Sequence, residues 1–87
     1  MSATNESIRG WIAAALPLAE RIEISGDGHH FYALIVAPEF EGKSRLARQR
    51  LILDPLRARI DSNEIHALSF TGPHGGTYTP AEFAARG

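Results

Sequence analysis

Ile8, Trp11, Ile12, Ala15 and Leu16 recur at i, i+3, i+4, i+7 and i+8, which lays one apolar stripe along a helix. Pro17 should end that helix. Ile22 and Ile24 then alternate with Glu23, the period of a half-buried strand. Gly26-Asp27-Gly28 supplies residues that tolerate positive φ in a tight turn, and Phe31 to Val36 reads as a second strand. The spacing therefore predicts a β-hairpin, stopped by Pro38.

The stretch from Phe40 to Ile60 has helical character, with Leu46, Leu53, Leu56 and Ile60 spaced to share a face. Pro55 is incompatible with a helix interior, so the pattern predicts two helices, the second capped by Asp54 with Pro55 at its first position. Gly42 suits the strand-to-helix turn and Ser44 suits the cap of the first of the two helices. Asn63 closes the region and a third strand is expected over about Ile65 to Phe70. Thr79-Pro80-Ala81-Glu82 spells a capping box, so a short final helix starts there. The order αββααβα implies an α+β fold, with a three-stranded mixed sheet and helices on one face.

Composition narrows the picture. At 87 residues and 44% hydrophobic content, the chain suffices for a single domain over residues 1–87. The longest apolar runs, such as Ala33 to Ala37, fall far short of the roughly 20 residues a membrane helix needs. No charged leader precedes an apolar segment, so a soluble cytoplasmic protein is expected. There is no cysteine, which excludes disulfides and leaves Met1 as the single sulfur donor. The net charge is −1, yet six of the nine Lys and Arg residues lie between Lys43 and Arg59. Charge is local.

With thiolates absent, imidazole is the softest abundant ligand, and the histidines become the candidate chemistry. His29 and His30 sit where the hairpin re-enters the sheet, and His66 sits at the start of the third strand. Such positions can neighbour one another on a small sheet, although His29 and His30 should point to opposite faces. The alternatives are a solvated turn for His29 and His30 and a hydrogen-bonded structural role for His66. His74 lies in a glycine-rich loop and has no expected ligand role. Trp11 and Phe31 read as core. The chain shows no cysteine nucleophile, nucleophile elbow, P-loop or paired catalytic carboxylates, so a non-enzymatic role is expected.

Four ordered blocks, "FEGKSR" from Phe40, "RQRL", "IHALS" from Ile65 and "YTPAEF" from Tyr78, resemble the BolA family over nearly the whole chain. "GDGHHF" and "KSRLARQ" are most similar to its IbaG-like branch. The resemblance implies a class II KH-like αββααβα fold and a partnership with monothiol glutaredoxins of the CGFS type. It also implies a bridging [2Fe-2S] cluster, held on the partner's side by cysteine and glutathione. On this side it implies His66 of the "IHA" motif and a second Cys or His from the loop between the first two strands. His30 matches the histidine of the family's "SHF" element and is favoured as that second ligand. His29 replaces the usual Ser, and Asp27 falls where cysteine-bearing members carry theirs. "GPHGG" is an apparent insertion of about five residues. Its Gly72-Pro73-His74-Gly75 spells GXXG, but a KH phosphate clamp belongs between two helices and this copy follows a strand.

The basic stretch reads as a solvated helix face or a partner contact, with Lys43, Arg45, Arg48 and Arg50 as the contact candidates. The competing expectation is a DNA- or RNA-binding regulator that uses the KH-like fold and these basic helices. Alone, the chain is expected to be a monomer or weak homodimer.

Overall fold

The computed structural model describes residues 3–86, so Met1 lies outside it, as do Ser2 and Gly87. Helix α1 runs over Asn5–Ala15, where Thr4 accepts from the Ser7 N–H and Ser7 reciprocates at the Thr4 N–H. It stops at Leu16, immediately before Pro17. Strands β1 (Arg21–Gly26) and β2 (His30–Val36) form the expected antiparallel hairpin, from Arg21 opposite Val36 to Gly26 opposite Phe31. A 3-10 turn over Pro38–Phe40 and a left-handed Gly42 (φ 74°) lead into α2, Arg45–Asp61, capped by the Ser44 hydroxyl on the Ala47 N–H. Strands β3 (Ala67–Ser69) and β4 (Gly76–Tyr78) both pair with β2 in parallel. Helix α3, Pro80–Ala85, starts at the Thr79/Glu82 capping box. The sheet is mixed, as expected.

Alternation along β2 sorts the two faces. Phe31, Ala33 and Ile35 turn inward and meet Ile8 and Ile12 from α1, Leu16 just past its end, Ile52 and Leu56 from α2, and Ile65. His30, Tyr32, Leu34 and Val36 occupy the other face. The α1 and α2 layer covers only the core face. On the outer face, Phe83 of α3 lies under the Arg21 guanidinium and 5.7 Å from the Tyr78 ring.

Two expectations about the second helical region are corrected. There is no break at Pro55: α2 is continuous through it, and the Asp54 carboxylate pairs with Arg57 instead of capping a helix. Proline inside a helix costs about 3 kcal/mol. Burial of Ile52 and Leu56, one on each side of Pro55, offsets this at about 1.5–3 kcal/mol per side chain. The buried face is also rotated from the one anticipated: Ile52 joins Leu56 at its centre, while Leu46 is 58% exposed.

The third strand is one lane broken in two. His30 faces Ala67, 37 positions further on, whereas Leu34 faces Gly76, 42 positions further on. Five residues are therefore extruded between two segments that lie along the same edge of β2. The extrusion accounts for the apparent insertion at "GPHGG".

Candidate metal centre

The hairpin turn is shaped by a carboxylate. Asp27 Oδ1 accepts the backbone N–H of His29 at 2.9 Å and of His30 at 3.0 Å. Those bonds, His30's first and His29's second, hold the Asp27 carboxyl below its ordinary pKa. Gly26, at φ 141°, closes the hairpin so tightly that a Cβ would collide with the His30 carbonyl. Gly28 takes φ 96°. Only glycine adopts such backbone readily, so the turn that presents the two histidines depends on these two positions.

His66 is positioned from the opposite direction. Ile65 is buried and donates its N–H to the Arg59 carbonyl at 3.1 Å, and Ala3 donates to the Glu64 carbonyl at 2.9 Å. With Ile65 held inside, the next residue turns out, and His66 is exposed. The structural role considered for it finds no support, since no side-chain hydrogen bond holds its ring among the described residues.

Parallel register then chooses its neighbour. Because His30 pairs with Ala67, one step back sets His29 beside His66, and their ring centroids lie 5.6 Å apart at 37°. His30 points elsewhere: its Nε2 is 2.8 Å from Ser69 Oγ and its ring stacks on Tyr32 at 4.5 Å. The preference for His30 is thus reversed as regards which ring lies beside His66. A coordinating nitrogen about 2.1 Å from a metal puts two tetrahedrally disposed imidazole centres about 5 Å apart. The His29 and His66 rings need little adjustment to reach that spacing. Among the described residues no three His, Cys, Asp or Glu side chains cluster to hold a metal. The pair can complete a coordination sphere but cannot furnish one.

The basic candidates separate into two kinds. Lys43, Arg45 and Arg50 are exposed. Arg48 is not a surface contact: its side chain is 12% exposed and donates to Glu82 at 2.6 and 3.1 Å, to the Lys43 carbonyl at 3.0 Å and to the Thr77 carbonyl at 3.1 Å. Arg48 ties α2 to β4 and α3. The ion pair raises the Arg48 pKa and holds Glu82 down at about 2. Arg59 packs over the Trp11 ring at 3.8 Å and pairs with Glu64. The Gly72–Gly75 stretch lies between β3 and β4, not between helices, and His74 borders a cleft beside Tyr32.

A family model for BolA-like proteins matches residues 13–82. The chain belongs to the BolA family. Within the BolA family it falls in the IbaG-like branch, being 40% identical over 80 residues to the acid stress protein IbaG of Escherichia coli K12, covering 92% of this chain and 88% of that one. A BolA homologue from Coxiella burnetii superposes with a TM-score of 0.77 at 40% identity, over 94% of this chain and 97% of its own. The BolA domain of SufE1 from Arabidopsis thaliana gives 0.72 at 33% identity, over 94% and 98%. No helix among the described residues is long and apolar enough to cross a membrane.

Proposed function

We propose that this BolA-family protein is a cytoplasmic iron-sulfur adaptor. It docks on a monothiol glutaredoxin and completes a shared, glutathione-containing [2Fe-2S] cluster through His66 and His29, serving iron homeostasis or cluster trafficking. The observation that carries this reading is the approach of two exposed imidazoles from separate chain segments, without a third His, Cys, Asp or Glu clustered beside them among the described residues. Two ligands suit a protein that supplies half of a centre. Imidazole in place of thiolate raises the potential of such a cluster and makes its environment sensitive to protonation. Asp27 fixes the turn that presents His29, and Ile65 fixes the strand entry that presents His66.

The nucleic-acid alternative loses ground on charge. Of the six cations between Lys43 and Arg59, Arg48 is committed inside the fold, Arg57 pairs with Asp54 and Arg59 with Glu64. Lys43, Arg45 and Arg50, the exposed cations of this stretch outside those ion pairs, make a small counterion-releasing surface.

The test mixes the protein with a [2Fe-2S]-loaded CGFS glutaredoxin in the presence of glutathione and follows visible circular dichroism. The spectrum should change with wild type and with His30→Ala, and should stay that of the glutaredoxin alone with His66→Ala and His29→Ala. A wild-type spectral change with either of the last two variants would reject the assignment.

A further inference from the structure

The five extruded residues enclose space as well as interrupting a strand. Between their loop and the first turns of α2 lies a cavity of about 270 Å3. On the helix side it is bounded by Arg45 and, one turn on, Gln49; on the loop side by Thr71, Gly75 and Gly76; and at its end by Tyr78. The glycines are required for this shape. A Cβ on Gly75 would strike the Thr71 backbone, and one on Gly76, at φ 144°, would strike the Tyr78 ring. Peptide groups therefore form that wall in place of side chains.

The charge in this recess is one-sided. Among the described residues no Asp or Glu lines it. Arg45 is exposed and, among the described residues, has no carboxylate in ion-pair range, in contrast to Arg48 and Arg57 on the same helix. A guanidinium left free beside an amide, a hydroxyl and peptide groups matches an oxyanion, which it can grip with two parallel N–H donors. We infer that this cavity binds a small oxyanion, a phosphate or a short carboxylic acid, with Arg45 as its anchor. Gln49 and Thr71 serve as neutral partners. The volume sits just under the roughly 300–1,000 Å3 of pockets for drug-sized ligands, so a nucleotide is too large and a phosphate or short dicarboxylate fits. The site goes beyond the cluster reading and uses neither His29 nor His66, so each stands or falls alone.

The experiment titrates the isotopically labelled full chain, at constant ionic strength, with inorganic phosphate and with succinate in separate series, and reads amide shifts by NMR. Saturable shifts confined to Arg45, Gln49, Thr71, Gly75 and Gly76 are expected with at least one probe. Which probe saturates tells phosphate from carboxylate. Arg45→Ala should weaken that binding about tenfold or more, the scale of one charged hydrogen bond, while Arg9→Ala leaves it unchanged. Excising Thr71–Gly75, which removes the loop wall, should abolish it. Shifts that fail to saturate, that persist in Arg45→Ala, or that weaken equally in Arg9→Ala overturn the proposal.

Discussion

Removing Thr71–Gly75 is the sharpest test of how the sheet is built. With those five residues gone, Phe70 joins Gly76 and falls opposite Ala33, between Ser69 opposite Tyr32 and Gly76 opposite Leu34. The two short strands then become one uninterrupted lane in a single register. Phe70, at 8% exposure, keeps its place in the core. What leaves is a loop whose internal backbone bonding includes the Gly75 N–H to the Gly72 carbonyl at 3.3 Å. Closing a loop of six residues costs about 1.6 kcal/mol from (3/2)RT ln n. Removing that cost should stabilise the domain by about 1–2 kcal/mol, which for a chain of this size raises the melting temperature by about 5–15 °C. Thermal unfolding followed by far-ultraviolet circular dichroism measures the shift, and amide exchange at Phe70 and Gly76 reports whether the lane has closed. A fall in melting temperature, or unprotected amides at the junction, would show that the two segments are not interrupted parts of one strand.

The continuity of α2 makes Pro55→Ala a stabilising change, because Pro55 is exposed and alanine restores a helical N–H at no packing cost; about 1–3 kcal/mol is expected from urea unfolding, and destabilisation would count against an unbroken helix. Glu82→Gln should lower stability at neutral pH. Glu82's folded pKa of about 2 lies below its ordinary 4.5, so its contribution is complete above 4.5 and fades as pH falls toward 2. The gap in urea midpoint between wild type and variant should therefore close over that window, and a pH-independent gap would refute the Arg48 ion pair as its source. Asp27→Ala should free the His29 and His30 amides, seen as faster hydrogen exchange at both, and should weaken cluster sharing without abolishing it. Unchanged exchange would remove Asp27 as the organiser of the turn.

Much of this architecture was legible along the chain because its causes are local. The α1 stripe, the glycine-bounded hairpin, the Ser44 cap and the Thr79/Glu82 capping box each depend on residues within a turn or two of one another. The core face of β2 follows from period-two alternation, and the family follows from ordered blocks of residues. His66 was named as a candidate by the family's "IHA" block, while its exposure beside a buried Ile65 came from the structure.

Tertiary contacts decided the rest. Alternation says which face a side chain takes but not which residue of a distant strand lies beside it. The parallel register of β2 with β3 therefore had to be seen before His29, and not His30, met His66. A local rule breaks α2 at Pro55, but burial of Ile52 and Leu56 against other elements outweighs that rule. Arg48 reads as one more basic surface residue until α3 folds back to bring Glu82 to it across 34 positions. By itself the sequence determined α1, the hairpin, the Ser44 and Thr79 caps and the candidate imidazoles. Pairing between remote segments, where the energy of contact overrides local preference, decided which of those groups share a place.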